Sequence, residues 1–176
     1  MADHLAEAGL RVARFEFPYM RRAAAGTRIG RPAGERVLRA SWIEAIEALG
    51  GADGLVIGGK SMGGRMASLV ADEAGVRGLV CLGYPFHPPG KPERLRTAHL
   101  EALRTPALIV QGERDPFGTR ADVEGYHLAP GIEVRWLEDG DHSFKPRKAS
   151  GHTQAEHVRT TAEAVASFVK RLESRA

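Results

Sequence analysis

The stretch Gly54-Leu-Val-Ile-Gly-Gly-Lys-Ser-Met-Gly-Gly-Arg65 decides how the rest of the chain reads. Gly54–Ile57 is a short apolar run of strand type. Directly beyond the glycines, Met62–Ala74 is patterned as a helix, with Met66, Leu69 and Val70 on one face. Between the two, Gly59-Lys60-Ser61-Met62-Gly63 fits the pattern G-x-S-x-G. A strand that turns straight into a helix forces the serine between them into a strained backbone conformation. Side chains two residues before or after it are expected to collide with the neighbouring elements, so glycine is expected at both places. The turn also lifts the hydroxyl clear of the sheet and aims the first helical N–H groups, that of Met62 foremost, at a point beside it. The competing reading is a glycine-rich turn that cradles phosphate with help from Lys60. The placement between a buried strand and an amphipathic helix favours the first.

Outward from this stretch the alternation continues. Leu10–Phe17, Gly78–Leu82, Pro106–Val110 and Ile132–Leu137 read as further strands, several of them continuous apolar runs of the kind buried on both faces. Ala2–Ala8 reads as a helix. Leu38, Trp42, Ala45 and Leu49 repeat at helical spacing until Gly50-Gly51 stops them, and Ala98–Leu103 turns helical after a proline-rich segment. Val158, Ala162, Val165, Val169 and Leu172 mark an amphipathic closing helix. Strands and helices in alternation imply one α/β domain over residues 1–176, a mostly parallel sheet with helices on both faces.

In such a sheet reactive groups collect at the carboxyl ends of the strands. Two of those ends are Gln111-Gly-Glu-Arg-Asp-Pro-Phe-Gly118 and Glu138-Asp-Gly-Asp-His-Ser-Phe144. A serine hydroxyl is a poor nucleophile without a base. The chain order Ser61, Asp115, His142 assigns a nucleophile, an acid that orients the imidazole, and a base, with the Met62 N–H as oxyanion donor. Asp139 and Asp141 are expected to shape the turn that carries His142. Tyr19, Tyr84, Phe86 and His87 follow strand ends and are expected to wall a substrate pocket. Glu113 is expected to pair with an arginine, Arg65. His152 and His157 are read as surface residues whose spacing misses the i, i+4 arrangement of a helical metal pair. No metal or cofactor is implied.

Of the 176 residues, 43% are hydrophobic and 27% charged, ordinary values for a globular chain that needs no staples. No apolar run approaches a membrane span, and the N-terminus lacks the basic and apolar regions of a secretory signal. The single cysteine, Cys81, excludes an intrachain disulfide and reads as a small core residue. A cytoplasmic location and no membrane partner are expected. The net charge of +3 is too mild to imply nucleic acid. Arg21, Arg22, Arg28, Arg31, Arg36 and Arg39 stand against one acid, Glu35, with no interleaved aromatics for stacking bases. They read as a solvated face or, alternatively, as a rim that favours acidic substrates.

The segments Gly59-Lys-Ser-Met-Gly-Gly-Arg65, Val110-Gln-Gly-Glu-Arg-Asp-Pro-Phe-Gly118 and Asp139-Gly-Asp-His-Ser-Phe144 resemble the α/β-hydrolase superfamily. More narrowly they are similar to dienelactone-hydrolase-like proteins and the testis-expressed and NSL-complex-subunit-like hydrolase domains. Phe15-Glu-Phe-Pro-Tyr-Met20 and Leu82-Gly-Tyr-Pro-Phe-His87 add to that likeness. The resemblance implies a serine hydrolase acting on a small ester or related acyl substrate, without a cofactor. An alternative it also implies is a non-catalytic interaction module that keeps the fold. The family takes its second oxyanion N–H from a glycine-rich loop after an earlier strand. That loop is not in the sequence ahead of Leu10, so the resemblance implies a chain shortened at its N-terminus by an internal methionine or misassigned start, or else a degenerate hydrolase or one that borrows a strand from a partner. The missing strand would lie between Leu10–Phe17 and Gly54–Ile57. Loss of one such donor costs about 3–4 kcal/mol of transition-state stabilisation.

Overall fold

The computed structural model describes residues 1–24 and 34–174, and of residues 22–24 the backbone only. Four strands form one sheet: β1 (Val56–Lys60), β2 (Gly78–Leu82), β3 (Ala107–Gly112) and β4 (Ile132–Leu137). They are all parallel and lie side by side in chain order. The register runs Gly59 opposite Cys81, Cys81 opposite Ile109 and Ile109 opposite Val134, which brings the strand ends to one rim.

Alternate residues of each strand face different helical layers. On one face Ile57, Leu79, Cys81, Ala107 and Ile109 pack with Leu38, Trp42 and Ile46 of α3 (Glu35–Ala48), and with Met66 and Ala67 of α4 (Met62–Ser68). On the other, Val80, Leu108, Val110 and Leu137 pack against Val165, Phe168 and Leu172 of α7 (Gln154–Glu173). The short α1 (Ala2–Glu7) rests on α7 and buries none of its own residues. β2 and β3 are apolar but for Gln111 near the end of β3, because both their faces are covered. The edge strand β4 alternates, turning Glu133 and Arg135 outward.

Several expectations shift. Leu10–Phe17 is not a strand. It forms no ladder with any described strand, and Val12 and Phe15 remain 38% and 39% exposed. An isolated extended segment cannot satisfy its backbone groups without a neighbour. Phe17 alone is buried, with Phe15 edge-on to Trp42 at 4.7 Å. The chain then enters α2 (Pro18–Ala24), whose first position suits proline because its N–H would have no intrahelical partner. Arg28 and Arg31 lie outside the described residues, as does the Arg22 side chain.

The helix expected over Met62–Ala74 is two. It breaks after Ser68, where the Val70 N–H reaches back only to Ala67 O, and α5 (Ala71–Ala74) follows. Ala98–Leu103 forms turns, because the Leu100 carbonyl accepts from the Ala129 N–H instead of a residue one turn on. A one-turn helix, α6 (Arg120–Val123), was not legible in the apolar pattern. It is set by a capping box between Thr119 and Asp122.

Candidate active site

The turn between β1 and α4 has the strain that the glycine pattern predicts. Ser61 adopts φ 52°, ψ −118°. A Cβ at Gly59 would stand 2.8 Å from the Gly63 carbonyl carbon and 2.9 Å from the Gly64 nitrogen, so strand and helix can meet only over a glycine. The second steric requirement falls one residue later than expected. Gly63 faces open space, whereas a Cβ at Gly64 would lie 2.5 Å from Gly59 O and 3.3 Å from Cys81 Cα. Trp42 Nε1–H donates to the Gly63 carbonyl at 3.3 Å and ties α3 to this turn. Gly54, Gly59, Lys60 and Ser61 also spell a phosphate-loop pattern, but most of the residues between the two glycines run into β1 and so form no loop to wrap an anion.

Asp115 sits on the turn after β3 and is wholly buried; its Oδ1 accepts from the Phe117 N–H at 2.9 Å. Its other oxygen, Oδ2, lies 2.8 Å from His142 Nδ1. His142 Nε2 is 3.0 Å from Ser61 Oγ. A carboxylate only accepts, so Nδ1 carries the imidazole proton and Nε2 is left to accept the serine hydroxyl proton. The three side chains come from three strand ends 54 and 27 residues apart in sequence and form one continuous hydrogen-bonded line. The Met62 N–H is the first of α4, where helix geometry leaves N–H groups without an intrahelical acceptor. His142 keeps 24% of its side chain exposed, so the line opens to solvent at its serine end.

The loop that holds His142 is heavily tied. Asp139 has φ 52° and Phe144 φ 64°, two turns that bend the chain back past Gly112. A Cβ on Gly112 would come within 2.5 Å of Asp141 O, so the Asp115 and His142 loops touch backbone to backbone. Arg114 N–H donates to Gly140 O at 2.9 Å, and Arg114 Nε–H to Asp139 O at 2.9 Å. Glu113 accepts from the Asp139 N–H at 3.1 Å and pairs with Arg120 at 3.0 Å. The expected partner of Glu113, Arg65, is instead 3.0 Å from Glu35. The Arg147 guanidinium grips Asp139 and holds its carboxyl down at about 2. Asp141 accepts from the N–H groups of Ser143 and Lys145, and His157 Nδ1–H donates to Phe144 O at 2.9 Å. His157 is therefore buried beneath the loop and not on the surface. His152 is exposed and pairs with Glu138.

The proposed pocket walls divide. Tyr19 is half-buried and stacks on Phe17. Tyr84 and Phe86 have no exposed surface and belong to the core, with their rings 4.9 Å apart; burial pushes the Tyr84 phenol well up. His87 is also buried. The reason is a residue with little signal of its own in the sequence. Gln111, wholly buried, accepts the Tyr84 N–H at 2.7 Å through Oε1 and donates through Nε2 to Tyr84 O and Gly118 O. That staple draws the segment after β2 down against the Asp115 loop. A polar residue ending an apolar strand was its only signal in the sequence. Cys81 is a buried core residue whose thiol is pushed up by burial. Among the described residues, no cluster of histidine, cysteine and acids could hold a metal ion, and no helix is long and apolar enough to cross a membrane.

Three solved structures illustrate what the fold is similar to. An alpha-beta serine hydrolase homologue from Coxiella burnetii is 20% identical, with TM-score 0.63, covering 97% of this chain and 72% of that one. The esterase domain of a Rhodothermus marinus protein is 16% identical, TM-score 0.66, covering 97% and 78%. A thermophilic esterase from Thermogutta terrifontis is 17% identical, TM-score 0.58, covering 80% and 73%. At such identities the likeness is one of fold. The family described as alpha/beta hydrolase domain matches residues 1–170, nearly the whole sequence. The chain therefore belongs to the alpha/beta hydrolase domain family.

Proposed function

We propose that this chain is a serine hydrolase that cleaves an ester or related acyl bond of a small substrate. The observation that carries this reading is the line Ser61 Oγ–His142 Nε2–Asp115, at 3.0 and 2.8 Å, with Ser61 strained at a strand-to-helix turn. Ser61 Oγ attacks the carbonyl carbon while its proton passes to Nε2. The oxygen that becomes negative is met by the Met62 N–H. The intermediate collapses as Nε2 returns the proton to the leaving oxygen, giving an acyl-serine and an alcohol. Water then repeats the sequence: its proton goes to Nε2, its oxygen forms the new bond to carbon, and Ser61 regains its proton as the acid departs. Asp115 keeps Nε2 free to accept and offsets the imidazolium charge.

The finer assignment, to the dienelactone-hydrolase-like branch and the testis-expressed and NSL-complex-subunit-like domains, rests on the quoted motifs. It goes with a single domain, a cytoplasmic location, a small acyl substrate as the partner, and neither nucleic acid nor cofactor. The deciding experiment is intact mass after exposure to a fluorophosphonate probe. One adduct on the chain and none on Ser61→Ala is the expected result. A folded chain that takes no adduct overturns the reading and favours an interaction module on the same fold.

A further inference from the structure

We propose that Lys60 is a positioning residue, its ammonium holding the backbone of His142 so that the imidazole stays aimed at Ser61. This rests on the serine-hydrolase reading for its kinetic consequence, though the hydrogen-bond geometry it describes stands apart from it. Lys60 is the variable position of the G-x-S-x-G turn. Its Nζ donates to the main-chain carbonyl of His142 and lies 5.1 Å from the centre of the Phe144 ring. The elbow and the base-bearing loop are thus joined by one side chain, across 82 residues of sequence.

The floor beneath that contact is shaped for it. Gly83, at φ 61°, follows β2, and a Cβ there would lie 2.6 Å from Lys60 Nζ and 3.4 Å from His142 Cε1 and Nδ1. The ammonium and the imidazole therefore share the space above a residue that has no side chain. Burial pushes the Lys60 ammonium below the ordinary lysine range, and the Asp115 and Asp141 carboxylates pull it back. The Lys60 side chain is thus flanked by those two acids, the His142 carbonyl and the face of Phe144.

The Asp139 and Asp141 turns fix where the His142 loop begins and ends, and Asp115 fixes the ring from Nδ1. Lys60 is the link among the described residues that ties the His142 main chain to the nucleophile's own turn. Misplacing a reacting group by about 1 Å costs up to about a hundredfold in rate. Lys60 touches no reacting atom, so its loss lowers turnover and leaves substrate affinity alone.

The test replaces the ammonium and then restores it. Lys60→Cys removes the donor, and alkylation with 2-bromoethylamine forms a C–S bond, expels bromide and the thiol proton, and returns an ammonium at lysine length. Cys81 is buried with its thiol pushed up, so the engineered cysteine reacts alone. With p-nitrophenyl acetate, kcat is expected to fall about ten- to a hundredfold in Lys60→Cys at a KM within about twofold, and to recover on alkylation. The unaltered chain is expected to show a low-field NMR signal from the His142 Nδ1 proton, which weakens in Lys60→Cys and returns with the ammonium. An unchanged kcat, a loss that alkylation does not repair, or a proton signal indifferent to Lys60 overturns the proposal. If the unaltered chain neither hydrolyses the ester nor takes a fluorophosphonate, the hydrolase reading fails, and the proton signal alone decides whether Lys60 positions His142.

Discussion

At the scale of single residues, the turn around Ser61 separates glycines that are needed from one that is not. A methyl group at Gly64 meets backbone atoms of Gly59 and Cys81 that cannot yield, so Gly64→Ala is expected to lose about 1–3 kcal/mol of stability. Gly63 has open space around its missing Cβ and helical neighbours, so Gly63→Ala is expected to gain up to about 1 kcal/mol. Urea unfolding of the two variants checks the contrast, and equal losses would refute this account of the turn. Ser61, Asp115 and His142, which the structure brings together, were legible because each follows a strand signal. Gln111 was not. Its role depends on which main-chain groups a neighbouring strand delivers to it, and no local pattern encodes that.

At the scale of elements, the closing helix shows how local and long-range signals combine. The spacing of Val158, Ala162, Val165, Val169 and Leu172 already described an amphipathic helix, and the observed α7 buries Val165, Phe168 and Leu172 against the sheet. Its start is set by Thr153, which accepts the Glu156 N–H while the Glu156 carboxylate accepts from the Thr153 N–H at 2.7 Å. Thr153→Ala is expected to cost about 1 kcal/mol, measured as a lowered urea midpoint at unchanged slope. Helix breaks were less legible. The division of α4 from α5 has no proline or glycine to announce it. Ser68 turns its hydroxyl to Arg65 O at 2.7 Å and to His99 at 2.8 Å, and the helix shifts to shorter i−3 bonding at that point. The segment Leu10–Phe17 carries apolar residues of strand type, yet strand formation belongs to a pair of strands, and no described neighbour pairs with it.

At the scale of the whole molecule, acid stability is the property most directly tied to the site. The Asp139 carboxyl, gripped by Arg147 and facing Arg114, titrates near 2 instead of the ordinary 3.8. A carboxyl lowered in the folded state binds fewer protons there than in the unfolded chain above its folded value. It therefore stabilises the fold fully above about pH 4, and that contribution is lost as the pH falls from about 4 to about 2. Glu156, lowered by the Thr153 N–H and hydroxyl, acts with the same sign. The thermal midpoint is expected to drop over this window, and Asp139→Asn is expected to flatten the drop while lowering the midpoint at neutral pH. A melting curve in Asp139→Asn as acid-sensitive as that of the unaltered chain would remove Asp139 from this role.

The sequence by itself determined what depends on local steric and periodic constraints. It set the strand–turn–helix around Ser61, the buried character of β2 and β3, the amphipathic face of α7, and the placing of Ser61, Asp115 and His142 each just beyond a strand. A glycine beside a tight turn, or an apolar residue every third or fourth position, is enforced within a few residues of chain. Tertiary structure alone decided which side chains face the open site and which are withdrawn. Tyr84, Phe86 and His87 follow a strand end as pocket residues do, yet the Gln111 hydrogen bonds pull their segment into the core. In sequence Lys60 has a role only in the competing phosphate reading, until the fold brings the His142 carbonyl to its ammonium. Both outcomes depend on distances between segments far apart in the chain, and those distances exist only once the sheet has set its register.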